Sequence, residues 1–176
     1  MGVSSSIHHR WRQRFEPELT GGTQPSQGER EEIVINTAAR TNTVVLRFGK
    51  TLRTGLRQIG RKLVTLWVIN RQRDALDQLE EHLQVFGDCE THVVRNGYFA
   101  EAVQFELYNG SKLRARIEKT GGRSLLLPNL ADRVADDMYI QRIPISRGLL
   151  EMPIGNRCEL ERWRDEAKNA LEPAWS

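Results

Sequence analysis

Cysteine is nearly absent from this chain: only Cys89 and Cys158 occur in 176 residues. With no secretory signal before them, a disulfide framework is excluded as the organising principle, and a reducing cytosol or nucleus is the expected setting. Long apolar runs are missing too. The best candidate, Leu63-Val-Thr-Leu-Trp-Val-Ile69, falls far short of the ~20 residues a bilayer span needs, so it reads as a buried helix or strand. Internal repeats are absent, and so are homeodomain, zinc-finger, KH and RNP signatures. Nucleic-acid recognition by those modules is therefore excluded.

What the chain has is charge, unevenly placed. Net charge is only +3, yet residues 47–73 carry eight Lys or Arg and no acid, while residues 74–90 carry six acids and no Lys or Arg. Wound at helical pitch, Arg47, Lys50, Arg53, Arg57 and Arg61 fall within about 120° of one another, with Leu52, Leu56, Ile59, Leu63 and Leu66 opposite. Such a basic amphipathic element can lie on phosphate or on anionic lipid. Set against this is a plainer reading, in which the basic and acidic blocks are two solvated faces that attract each other.

Along the chain, residues 1–31 are rich in Ser, Gly, Gln, Pro and Glu without a sustained period, as expected of a flexible N-terminal arm. One domain is expected over 32–176. Ile33–Asn36 and Thr43–Phe48 are short and β-branched and predict two strands, with a turn at Ala38–Asn42. Residues 71–86 predict a helix from Ala75, Leu76, Leu79 and Leu83, ending at Gly87. Asn96-Gly97 and Asn109-Gly110 both sit between alternating apolar segments, the strongest short-range hairpin signature. They predict a three-strand antiparallel meander over about 91–118, with Phe99, Val103, Phe105 and Leu107 on one face of its middle strand and Leu113, Ala115 and Ile117 on one face of its third. A helix is expected around Leu127–Asp137, a last strand at Tyr139–Ile143 and a closing helix over Arg157–Leu171. The fold class is α+β, an antiparallel sheet with helices packed on one face.

Motifs for chemistry are few. Met1-Gly2-x-x-x-Ser6 matches an N-myristoylation signal at Gly2. A single myristoyl chain attaches only marginally, and Arg10, Arg12 and Arg14 can supply the second signal at about 1 kcal/mol each on an anionic leaflet. Cys89-x-x-His92 has zinc-like spacing, with His82 and Cys158 as further candidates, but no second half-site accompanies it and no metal is expected. Gly55-x-x-x-x-Gly60-Arg61-Lys62 departs from the phosphate-binding loop twice: a residue separates Gly60 from the Lys, and Leu63 replaces the hydroxyl that would bind Mg²⁺. Asp132, Asp136 and Asp137 read as a solvated face.

No catalytic constellation emerges and no cofactor is implied, so a non-enzymatic interaction protein is expected. The first expectation is a peripheral membrane lipoprotein, myristoylated at Gly2 and held at the cytoplasmic side of the plasma membrane. Arg10, Arg12, Arg14, Arg47, Lys50, Arg53, Arg57, Arg61 and Lys62 would contact the anionic surface. Small viral accessory, matrix and movement proteins acting between host and virus combine such traits. The alternatives are an electrostatic RNA-binding protein that sequesters duplex RNA through the same basic face, and a homo-oligomer in which the acidic block of one copy meets the basic face of another.

Overall fold

The computed structural model describes residues 33–37 and 42–175. They fall in two units, one ending at Thr37 and one beginning at Ala38. In the first, residues 33–37 are exposed and belong to no helix or strand, so the strand expected at Ile33–Asn36 is not formed. The second holds every helix and strand described below.

Three strands, β1 (Val64–Ile69), β2 (Glu90–Asn96) and β3 (Ser124–Leu127), lie side by side in chain order, and both pairings are parallel. Parallel neighbours need crossover connections. Helix α2 (Arg73–Phe86) joins β1 to β2, and the short helices α3 (Glu106–Asn109) and α4 (Lys112–Lys119) join β2 to β3. Helix α1 (Asn42–Gln58) precedes the sheet; α5 (Asp132–Gln141), α6 (Ile145–Glu151) and α7 (Ile154–Leu171) follow it.

Strand alternation decides what each face buries. Trp67, Ile69 and Val93 point to one side, where Leu79 and Leu83 of α2, Phe105, Tyr108 of α3 and Ile117 of α4 complete a core. Leu66, Val94, Leu125 and Leu127 point to the other, against Leu171 and Ala174. A third cluster, around Val134, Met152 and Leu160, ties α5 and α6 to α7. Helices thus cover both faces of the sheet.

The antiparallel sheet expected from the sequence is overturned: the sheet is wholly parallel. The meander expected over 91–118 is one strand followed by a 3-10 turn at Ala102–Gln104 and two short α-helices. Asn109-Gly110 ends α3, where the Gly110 N–H bonds to Glu106 O at 3.0 Å, and Ser111 then caps α4 by accepting the Arg114 N–H at 3.2 Å. The alternation Leu113, Ala115, Ile117 misled because it is too short to fix a period. Leu113 and Ile117 are also one helical turn apart and face inward, while Ala115 is exposed. Of the four residues assigned to the inner face of the middle strand, only Phe105 is buried. Residues 43–48 belong to α1, and 139–143 contain the end of α5 rather than a strand.

Candidate functional site

The two ends of the parallel sheet differ in chemistry. At the carboxyl end every strand leads into an asparagine. Ile69 pairs with Arg95, so Asn70 and Asn96 continue as neighbours. Asn96 pairs with Leu127, and Pro128-Asn129 follows. Neighbouring strands stand about 4.8 Å apart, so the three asparagines follow one another across adjoining strand ends, a row by their place in the fold.

Their conformations are set locally. Asn70 Oδ1 accepts the Gln72 N–H at 2.9 Å and Asn96 Oδ1 accepts the Tyr98 N–H at 3.0 Å, two Asx turns that commit each carbonyl oxygen. The β2 and β3 exits are locked together. The Gly97 N–H donates to Leu127 O at 2.8 Å, and a Cβ at Gly97 would collide with that same oxygen. Only glycine permits this approach. Trp163 of α7 then donates its indole N–H to Pro128 O at 2.8 Å.

Around the rim, Tyr98 and Phe99 pack edge to face, 5.2 Å between centroids. Both are solvent-exposed, as are Val103 and Leu107 beyond them. Arg71 and Arg73, at the start of α2, are exposed as well. Behind the rim, the Arg95 guanidinium bridges the crossover. It donates to Ser124 O and Leu125 O of β3 at 3.2 and 3.3 Å, and to Ala102 O and Asn109 Oδ1 at 3.2 and 3.3 Å.

At the amino end the chemistry is ionic, and here the residues predicted to bind anions are found. Arg53 pairs with Asp88 and also donates to Val85 O at 2.5 Å. Arg57 reaches the same Asp88 oxygen at 2.5 Å, and Lys62 pairs with Glu90. Asp88 is held below the ordinary carboxylate range: partial desolvation opposes this, and its backbone hydrogen bond and the two arginines outweigh it. The Lys62 hydrogen bond lowers Glu90 likewise. Glu90 Oε1 also lies 3.0 Å from Nε2 of the buried His92, whose Nδ1 accepts the Arg123 N–H at 3.1 Å. That tautomer puts the ring proton on Nε2, facing the carboxylate.

The plainer sequence reading thus describes Arg53, Arg57 and Lys62, whose acidic partners lie in the same chain. Arg47 and Lys50 are exposed further up α1, with the Arg47 guanidinium 5.7 Å from the Phe48 ring. Arg61 follows Gly60, whose φ of 67° makes it the left-handed residue that ends α1. The Gly60 N–H bonds to Arg57 O and the Arg61 N–H to Leu56 O, a Schellman termination. The glycine pattern at Gly55–Lys62 therefore runs from helix into strand, the reverse of a phosphate-binding loop. Gly2, Arg10, Arg12 and Arg14 lie outside the described residues. Among those described, no group of three potential metal ligands converges, and no helix is long and apolar enough to cross a membrane.

The row of asparagines was not found by sequence reasoning. An asparagine after a short apolar run is an ordinary turn residue until the runs are known to be parallel neighbours.

No protein-family model matches the chain, and no solved structure matches it. Among curated proteins it is similar to Protein MobD of Acidithiobacillus ferrooxidans, at 56% identity over 140 residues. The match takes in 80% of this chain and 62% of that relative, so the chain spans less than two thirds of the relative's length.

Proposed function

We propose that the carboxyl-end rim of the sheet binds a planar, hydrogen-bonding anion, and that a nucleotide is the ligand class its chemistry fits. The observation that carries this reading is the placement of Asn70, Asn96 and Asn129 at the carboxyl ends of three adjoining parallel strands. Ligands of open parallel sheets sit outside the carboxyl ends of the strands. With the Oδ1 atoms of Asn70 and Asn96 held in their Asx turns, these amides offer N–H donors for the acceptor edge of a nucleobase. The exposed Tyr98–Phe99 pair supplies a stacking surface, for which about 1–3 kcal/mol per base is typical. Arg71 and Arg73 supply positive charge for phosphate. Amides do not titrate in the physiological range, so the role is binding rather than acid–base catalysis.

The test is an amide NMR titration of the chain with ATP, GTP, CTP and UTP, with inorganic phosphate as the control. Shifts centred on Asn70, residues 96–99 and Asn129, weakened at least tenfold in Asn96→Leu, are the expected result. Shifts confined to α1, or none at millimolar nucleotide, would overturn the reading.

A second reading is supported by the outer side of α1 and the turn after it, where Arg47 and Lys50 are exposed and Arg57 and, beyond the helix, Lys62 keep over 70% of their side-chain surface in solvent despite their partners. This face serves as an electrostatic contact with an anionic membrane or with RNA, with acylation at Gly2 as the added membrane anchor. Co-sedimentation with phosphatidylserine vesicles and a duplex-RNA shift assay separate the two. Arg47→Glu with Lys50→Glu should weaken either contact, and Gly2→Ala only the first. Equal binding by all variants removes this reading.

A further inference from the structure

We infer that the outer edge of β1 is a docking surface for a fourth, parallel β-strand, supplied by another polypeptide segment of apolar, β-branched sequence. Residues 64–69 read Val-Thr-Leu-Trp-Val-Ile, an uncharged run without Pro or Gly. Natural edge strands are short, charged or interrupted by proline, whereas strands buried between neighbours in parallel sheets read as unbroken apolar runs. β1 has the sequence of an interior strand, yet it pairs only with β2 among the described residues. The N–H and C=O groups directed away from β2 therefore have no strand partner among the described residues, although such groups ordinarily find partners in a sheet.

Two further observations agree. On the face covered by Leu171 and Ala174, cover fades outward: Val94 on β2 is buried, Leu66 on β1 is half-covered, and Val68 is 57% exposed. Helix α1 rests on α2, where Gly49 meets Val85 and Phe86. Its Phe48, Leu52 and Ile59 remain 54%, 40% and 69% exposed. A helix beside an α/β sheet ordinarily buries its apolar strip against strands, and the sheet stops short of supplying them. The similar bacterial protein carries 38% of its length, 100 minus 62, outside the match, so that relative has chain from which strands can come. Main-chain hydrogen bonds would give the added strand affinity, and an alternating pair of side-chain sites on each face would give it selectivity.

The experiment uses the whole chain and a capped Thr-Val-Ile-Val-Thr peptide carrying a nitroxide at its amino end. In the chain alone at low micromolar concentration, about half of the β1 amides should exchange with deuterium at loop-like rates, because a parallel partner engages alternate residues only. At millimolar peptide those amides should gain at least tenfold protection, and the nitroxide should broaden signals at the Val64 end. Val68→Lys, at an exposed position, should abolish the protection while far-UV circular dichroism stays unchanged. Absence of protection by the peptide overturns the inference, and so does broadening at the Ile69 end, which would mean antiparallel addition. A dimer in sedimentation of the chain alone that is lost in Val68→Lys overturns it as well, since the edge would then belong to a second copy.

Discussion

The two edges of the sheet carry opposite designs. β3 is four residues long, stops before Pro128, and is tied down from several directions. Arg95 holds two of its carbonyls, Tyr108 Oη shares a 2.8 Å hydrogen bond with Ser124 Oγ, and α7 packs beside it with its indole on Pro128. β1 is longer, uncharged, and paired on one side only among the described residues. A protected edge limits wrong pairing, whereas an open apolar one invites it. The contrast teaches that sheet growth is stopped on one side by specific side chains and is not stopped on the other.

The most damaging way to break the contrast is to remove the tie on the closed edge. Arg95→Met keeps the volume and apolar stem but removes four hydrogen bonds, two to β3 and two to the 102–109 segment, where Ala102 O keeps the Asn109 amide as a donor. Hydrogen bonds to a charged group contribute about 1.5–3 kcal/mol each, discounted here because the site is only partly buried. A net loss of about 3 kcal/mol is expected, read as a lower urea midpoint at unchanged slope.

Beneath the open edge lies a different weakness. His82 stacks between Trp67 of β1 and Phe86, at 4.9 and 4.7 Å between centroids, and neither ring nitrogen has a hydrogen-bond partner. Burial lowers its pKa to about 4. The unfolded chain therefore takes up a proton before the folded one does, and the His82 contribution is complete above about pH 6.5 and lost as pH falls toward 4. On the order of 3 kcal/mol is at stake across that window. His82→Phe should flatten the stability profile between pH 6.5 and 4. A slope unchanged by the substitution would assign the acid sensitivity elsewhere.

How much of this could be read in the sequence follows from the length of each signal. The helices at 73–86 and 154–171 were visible because their apolar spacing runs over several turns, whereas α1 was visible only from Arg47 onward: its start at residues 43–48 reads as a strand, and its pattern runs on past Gln58 to Leu66, which lies in β1. The region from 97 to 119 was misread because its elements are one or two turns long. Over that distance Leu113, Ala115 and Ile117 fit a strand and a helix equally, and the glycine of Asn109-Gly110 ends a helix as readily as it turns a hairpin. Parallel pairing has no local signature at all. Crossovers join residues 20 to 30 apart, and what sets them is the burial of both sheet faces. The asparagine row inherits that invisibility. The contacts of Arg53 and Arg57 with Asp88 were legible only in outline, as opposite charge blocks close in sequence.

The carboxyl-end junction offers a sharper and smaller test of the closed edge. Gly97→Ala places a methyl group against Leu127 O and close to the Asn129 backbone, so the β2 and β3 exits must separate by several tenths of an ångström. Overpacking of this kind costs about 1–3 kcal/mol. A fall of that size in thermal stability is expected, together with amide shifts at residues 97–99 and 127–129. An unaltered spectrum there would mean the two exits are not locked.

Asp88→Asn carries the smallest expected change and separates the structural from the functional use of α1. Asp88 gathers Arg53 and Arg57 at the amino end of the sheet, but its side chain is 41% exposed, and exposed ion pairs contribute about 0–1 kcal/mol. The neutral amide should cost no more than that, with the loss fading at high salt as screening removes the difference. Faster exchange of α1 amides, with β2 amides unaffected, would show that Asp88 docks the helix rather than supporting the sheet. The substitution also releases two guanidiniums from their carboxylate. If the basic face does meet an anionic surface, Asp88→Asn should strengthen that contact severalfold, whereas a face whose only role is to hold α1 in place should gain no affinity.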